Sequence, residues 1–525
     1  MRHHLNHSHK TKLMNPSNLT AIALAAGFLF GSHARAEVRL PSMFSDHMVL
    51  QRDVAVPVWG WAAPGEAVTV SINGQSKSTK ADASGKWSLK LDKLTAKEPT
   101  TMTVKGSNTL TISDVLVGEV WLGSGQSNMQ LNVGAVNNAA AEIAKADFPQ
   151  IRLFTVERKT SPTPLDTCDG KWVLCSPQTV GPFSAAAYFF GRDLHQSLKV
   201  PVGLFNSSWG GTPIEAWTSM DVQQSKPEFA PILDKWKKQV AVPYDETTAM
   251  ARYEKQLESW KSAAEKRKAE GKPQGGAPKK PMPPRLMPTH PANLFNGMIA
   301  PLIPYAMRGA IWYQGENNAG SPNPGLYNTQ LPLLIQDWRQ RWGQGDFPFA
   351  WVQLPNYQKR NENPGAPSNW AIVREAMLRS LSVPNTGMAI IIDSGEEANI
   401  HPKNKQVVGA RLALWAKAKV YGQKIPFSGP LPGPQTIKGS EVTIAFTNAD
   451  SGLVAKDGEL KGFAIAGADK KWVWAKARIA GDKVIVSSPE VSTPVAIRYA
   501  YGDNPDCNLT NGVGLPASPF RTDTW

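Results

Sequence analysis

Cysteine is scarce: Cys168, Cys175 and Cys507 are the only three in a chain of 525 residues. Disulfides therefore cannot be the framework of the fold, even in a compartment that permits them. No Cys-x-x-Cys or His-x-x-x-His spacing accompanies the three, and no metal site is expected from them. Cys168 and Cys175 are close enough in sequence to staple the loop around Asp169-Gly170-Lys171-Trp172; three unbridged thiols are the alternative, and Cys507 is odd in either case. Long apolar runs are also missing. After residue 36 nothing approaches about twenty uninterrupted apolar residues, so no membrane span is expected. There is no internal repeat of useful period.

A formal charge of +14 raises the question of nucleic acid. Several of those charges fall within the first 36 residues and others within one mixed-charge stretch, 235–285. Aromatic residues do not alternate with that stretch as a single-strand binder requires, so it reads as a solvated helical face. The first 36 residues read as a secretory signal peptide: Lys10 and Lys12 precede the apolar run 19–30, and Ala34-Arg35-Ala36 offers small residues for cleavage before Glu37. His3, His4, His7 and His9 leave with it and form no metal site. The mature protein is expected to be periplasmic or secreted.

The remainder is too long for one ordinary core and divides by pattern. Over 37–113 the period is two, as in Val54-x-Val56-x-Val58 and Val68-x-Val70-x-Ile72, with Asn73-Gly74 as a hairpin turn; this predicts a small antiparallel β-sandwich. Over 114–421 short, fully apolar runs recur at wide spacing: 117–122, 151–156, 202–205, 310–313, 349–354 and 388–392. Such runs separated by helix-length segments predict an α/β domain with a mostly parallel sheet covered on both faces. Residues 223–288 interrupt it as a surface insertion, helical at first and then too rich in Pro and Gly from 271 to stay so. Alternation returns over 422–525 and predicts a second β-rich unit.

In open α/β sheets functional groups collect at the carboxyl ends of the strands. Four clusters qualify. Gly123-Ser124-Gly125-Gln126-Ser127-Asn128-Met129 follows the first run and presents Ser127 through a glycine-relaxed turn into a helix start. Asn206-Ser207-Ser208-Trp209-Gly210-Gly211 follows the third, Gln314-Gly315-Glu316-Asn317-Asn318 the fourth, and the segment from Asp393 to His401 the last. A serine hydroxyl needs a base within hydrogen-bond reach, and His401, with an unperturbed pKa of about 6.5, suits that task. Backbone amides of Ser127 and of Gly210 or Gly211, with the carboxamide of Gln314 or of an asparagine next to it, are the candidate donors to a developing oxyanion. An anion cradle for phosphate is a competing reading of the 123–127 turn, weakened because no Lys-Ser or Lys-Thr ends it.

Taken together, GQSNM around Ser127, Trp209-Gly210-Gly211-Thr212, Trp312-Tyr313-Gln314-Gly315-Glu316 and Ile400-His401-Pro402 resemble the sialate O-acetylesterase group of the SGNH hydrolase superfamily. The segment 293–302 and the tail 514–522 look like that group as well, so the resemblance covers most of the chain after residue 36. It implies a flavodoxin-like three-layer α/β/α hydrolase domain flanked by antiparallel β units. It also implies a serine carboxylic-ester hydrolase with Ser127 as nucleophile and His401 as base, oxyanion contacts from Ser127, Gly210 or Gly211 and Gln314, and neither metal nor organic cofactor. The implied partner is an O-acetylated sugar, notably O-acetyl sialic acid. Acetylated plant polysaccharide (xylan or xyloglucan) is the alternative substrate, and a carbohydrate-binding protein without catalysis the alternative function.

One departure matters. Many members of the superfamily carry an aspartate two or three residues before the histidine to orient the ring; here those positions are Asn399 and Ala398. Asp393, Glu396, Glu397 and Glu316 are the candidate replacements, giving a triad, and without one the pair is a dyad. Glu316 reads better as a hydrogen-bonding residue behind Gln314. Substrate contacts are expected from Gln126, Trp209, Asn317 and Asn318, with Arg374 as the guanidinium that a sialate carboxylate would want.

Overall fold

The structure is a computed structural model that describes residues 37–525 other than 96, 97 and 273; the expected signal peptide lies outside the described residues. Among the described residues, seven strands form the main path of an eleven-stranded sheet: β1 (Thr109–Gly125), β2 (Phe148–Thr155), β3 (Trp172–Cys175), β4 (Val202–Ser208), β5 (Gly309–Tyr313), β6 (Phe349–Val352) and β7 (Thr386–Ala389). Their order is β7-β6-β5-β1-β4-β2-β3. All neighbours are parallel except β3, which returns antiparallel along β2 at the edge. The chain leaves β1 toward β2 and β4 on one side and later returns to the other side as β5. The order thus reverses at β1, and the crevice at its carboxyl end is where such sheets hold ligands.

Strand β1 explains how two architectures join. Its first part alternates between exposed and buried residues, because it pairs antiparallel with Thr100–Lys105 in a sheet with one wet face. From Val115 onward every residue is buried, because helices cover both faces of the parallel sheet. The expected junction at 113–114 therefore falls inside one continuous strand. Upstream, Ala67–Ile72 and Gln75–Lys80 form the hairpin whose turn is Asn73-Gly74, both at positive φ, and Val56–Trp61 pairs with Lys86–Leu91 in a second small sheet. Tyr305 ties this region to the parallel sheet: its hydroxyl donates to the Val49 carbonyl at 2.8 Å and its ring meets Phe44 and Phe205.

Two differences from the sequence reading have plain causes. Strand β7 stops at Ala389 although 390–392 stay buried; apolar character reports burial, whereas a strand also needs a ladder partner. Cys168 and Cys175 are free thiols, not a staple. Cys175 ends β3 opposite Phe148 with its Sγ directed at the Ala146 carbonyl, while Cys168 lies against Ser42 of the amino-terminal region.

Three helices shape the site: α1 (Ser127–Gln130), α2 (Ala185–Leu198) and α3 (Lys405–Trp415). Helix α2 begins at Ser184, whose hydroxyl accepts the Ala187 N–H and donates to the Met129 carbonyl, pinning the turn after Ser127. Below β5, Trp312 packs edge-on between Trp217 and Trp338, with ring centroids 6.1 and 5.9 Å away, contacts worth about 1 kcal/mol each beyond their burial. The insertion forms helices Ala230–Ala241 and Glu246–Ala269, and the described residues of 271–288 carry no α-helix, in keeping with their Pro and Gly content. Residues 431–521 build antiparallel sheets of four, four and two strands, counting only the described residues. No helix among the described residues is long and apolar enough to cross a membrane.

Candidate active site

Ser127 sits at the first position of α1, directly after β1. The turn is tight because β5 crowds it: a Cβ on Gly125, which has φ +139°, would collide with the Tyr313 carbonyl oxygen. That approach is also the hydrogen bond from Gln126 N–H to Tyr313 O at 3.0 Å. The Oγ of Ser127 lies 2.8 Å from Nε2 of His401. Residues 274 apart in sequence thus form a hydroxyl–imidazole pair at the reversal point of the sheet.

Burial lowers the His401 pKa from its ordinary value, and the nearby Lys405 ammonium lowers it further. The ring is therefore neutral at neutral pH, the form that accepts a proton.

Four carboxylates were candidates to orient that ring, and none touches it. Asp393 is held by both terminal nitrogens of Arg411 at 2.5 and 2.8 Å. Glu396 accepts from Lys403 N–H at 2.7 Å and from Asn399 at 2.9 Å, and Glu397 is exposed. Glu316 is buried behind Asn128. Among the described residues no group hydrogen-bonds His401 Nδ1. The main chain is gripped instead: Asn399 Oδ1 accepts the His401 N–H at 3.0 Å and its Nδ2 donates to the His401 carbonyl at 2.9 Å. The residue that stands in the usual aspartate region thus positions the histidine through its backbone.

A second layer, absent from the sequence reading, locks the serine turn to the histidine loop. Asn128 Nδ2 donates to Glu316 Oε1 at 2.5 Å and to the Ile400 carbonyl at 3.0 Å, and its Oδ1 accepts from Lys405 Nζ at 2.7 Å. Lys405 also donates to the Pro402 carbonyl at 2.5 Å. Its side chain is wholly buried, and burial pulls its pKa down to about 7. Burial raises the Glu316 carboxyl, whose Oε2 has no hydrogen-bond partner. A clue to Lys405 was present: it opens helix α3, where the macrodipole disfavours a cation, so another group must hold it there.

The expected oxyanion donors separate. Ser127 N–H, at a helix start, has no backbone acceptor among the described residues. Gly210 lies against the serine, since a Cβ there would stand 3.2 Å from Ser127 Cβ; its N–H donates to Gln130 Oε1 at 2.7 Å. Gly211 is exposed, and its carbonyl accepts from Asn317 Nδ2 at 3.0 Å. Gln314 does not fit the role. It is fully buried and its amide nitrogen faces three acceptors, Gln126 Oε1, the Thr212 carbonyl and Asn318 Oδ1, so it braces the three strand ends.

Of the expected substrate contacts, Trp209 is half-buried under the Arg158 guanidinium with its backbone N–H on the Gly125 carbonyl at 3.1 Å, and Asn317 is exposed beside Gly211. Gln126 is buried and accepts from Gln314 and from Asn317 N–H. The Asn318 carboxamide is committed to Ile214, Gln314, Glu215 and Gln330. Arg374 is not in the cleft. It is wholly buried, and its guanidinium donates to the carbonyls of Leu354, Pro355, Gly502 and Asp503, joining the carboxyl-terminal β region to the segment after β6.

Residues 292–415 match the family model described as carbohydrate esterase, sialic acid-specific acetylesterase. The sialate O-acetylesterase of Homo sapiens is 31% identical over 528 residues, covering 92% of each chain. That of Mus musculus is 31% identical over 568 residues, covering 97% of this chain and 98% of its own. The crystal structure of a carbohydrate acetylesterase from Xanthomonas citri superposes with a TM-score of 0.77 at 36% identity, over 93% of this chain and 100% of the other. With relatives of this similarity along nearly its whole length, and with a fold that superposes on the Xanthomonas enzyme over 93% of the chain, the chain belongs to the sialate O-acetylesterase family of carbohydrate esterases.

Proposed function

We propose that this protein releases acetate from O-acetylated sugars by a serine acyl-enzyme mechanism. The observation that carries the reading is the 2.8 Å contact between Ser127 Oγ and His401 Nε2 at the carboxyl end of β1. Ser127 Oγ attacks the acetyl carbonyl carbon while His401 Nε2 takes its proton. The resulting oxyanion draws on Ser127 N–H, and on Gly210 N–H once Gln130 turns aside. Collapse breaks the bond between carbon and the sugar oxygen, which receives the proton back from His401. Water then attacks the acetyl-enzyme with His401 again as base, giving acetate and free Ser127. No carboxylate among the described residues hydrogen-bonds the ring, so in this proposal the pair works as a dyad.

The names of the mammalian relatives point to O-acetyl sialic acid as the substrate. Arg374 does not support that choice, and acetylated xylan or xyloglucan is the second candidate. Acetate release from O-acetyl sialic acid, acetylated xylan and p-nitrophenyl acetate, by wild type and Ser127→Ala, tests the reading. Loss of about four orders of magnitude in kcat on the best substrate is expected for the variant; equal rates remove Ser127 from the mechanism. Export is part of the proposal, supported by residues 1–36 as read in the sequence. Retention of the protein inside the cell with residues 1–36 still attached would count against it.

A further inference from the structure

A cavity of about 790 Å³, within the ~300–1,000 Å³ of small-molecule sites, adjoins the segment after β5, and neither Ser127 nor His401 lines it. Asn317 links the cavity to the pair: it lines the cavity and donates to the Gly211 carbonyl, one residue from the glycine that touches Ser127. The far wall is the insertion helix Ala230–Ala241. That helix buries none of its residues fully, and Ile232, Trp236 and Gln239, one face at helical spacing, line the cavity. The apolar side chains of that face, Ile232 and Trp236, are therefore open to the cavity.

We infer that this cavity binds an uncharged sugar residue of the glycan that carries the acetyl ester, so that the enzyme acts on chains in preference to free monosaccharides. The inference rests on the sugar-esterase reading of the Ser127 site. Trp236 is half-buried and its ring is braced edge-on by His290, centroids 5.0 Å apart, which leaves an aromatic surface for the C–H face of a sugar ring. Glu215 lines the same cavity, and its Oε2 accepts from Asn318 at 3.0 Å and Gln330 at 3.2 Å. A carboxylate fixed in this way accepts from sugar hydroxyls and repels a sugar carboxylate. Burial raises the Glu215 carboxyl, the cost that hydroxyl donors would relieve. Glu228 and Glu316 add two further acids to the lining against the single Lys235, a balance that disfavours an anion.

The test measures binding without turnover. In the Ser127→Ala protein, calorimetry with the neutral tetrasaccharides xylotetraose, cellotetraose and lacto-N-tetraose should show binding of at least one. Adding Trp236→Ala should weaken that binding about tenfold. Trp236→Phe should restore most of it, and free sialic acid should not compete. Equal binding in the Trp236→Ala protein, no binding of any neutral probe, or displacement by sialic acid would overturn the inference. Circular-dichroism melting of each variant separates a lost contact from a lost fold. Failure of the esterase reading has its own signature, acetate release that persists in Ser127→Ala, and leaves this binding result unaffected.

Discussion

Lys405 Nζ donates to Asn128 Oδ1 at 2.7 Å, and this bond joins the turn that presents Ser127 to the loop that presents His401. Asn128 completes the clasp by donating to the carbonyl just before His401. An amide and an ammonium thus set the geometry of the pair that, in many related hydrolases, a carboxylate helps to set through the ring.

Lys405→Met should lower kcat by about ten- to a hundredfold, because Asn128 Oδ1 and the Pro402 carbonyl lose a charged donor inside the protein. The same change should move the acid limb of kcat/KM upward in pH, since the ammonium helps hold the His401 pKa down. Steady-state kinetics across pH 5–8, a range of about three units around the histidine value, read both effects. A fall in kcat with an unmoved limb would mean that Lys405 acts through packing alone.

In the wild type, kcat/KM should fall on the acid side only below the ordinary histidine pKa of 6.5, because burial and then Lys405 both lower that of His401. Protonation removes the base, so activity is lost as pH falls through the shifted value. An acid limb centred above 6.5 would contradict the environment described for the ring.

The buried lysine also makes a stability prediction. Its pKa is about 7 in the fold against 10.5 when free. Between these values the unfolded chain binds the extra proton, so this group's contribution to stability rises with pH from about 7 to 10.5, and its penalty is full below 7. Denaturant titrations at pH values spanning that window should show a slope in wild type that is reduced in Lys405→Met. Parallel slopes would show that Lys405 keeps its proton in the fold.

Asn399→Ala should cost roughly tenfold or more in kcat by freeing both sides of the His401 main chain, whereas Asp393→Asn should leave turnover near wild type because its carboxylate serves Arg411. The reverse ranking would restore a triad.

Arg374→Met should destabilise the protein by about 3 kcal/mol, leaving carbonyls of two chain regions without their donor. Its effect on acetate release should be the same for sialate and xylan esters. A selective loss on the sialate would place the guanidinium in recognition after all.

How much of this was legible in the sequence follows from which interactions are local. The apolar run before Ser127, the Asn73-Gly74 turn and the Pro- and Gly-rich end of the insertion each depend on backbone preferences and burial over a few residues, so their patterns identify them. The motifs around Ser127, Gly210, Gln314 and His401 located the strand ends for the same reason. Side-chain direction is different. Gln314 and Arg374 look like site residues on a list of polar groups, yet each spends its donors on carbonyls or carboxamides inside the protein.

The sequence by itself determined the α/β class, the flanking β regions and which serine and histidine come together as a pair, because hydrophobic period and turn chemistry are written residue by residue. Only the tertiary structure decided what stands behind them: Asn399 on the backbone of His401, Asn128 between Glu316 and Lys405, and Asp393 turned away to Arg411. These choices depend on distances between segments up to 277 residues apart. A buried polar group takes whichever partner folding brings within hydrogen-bond reach, and no spacing along the chain records that competition.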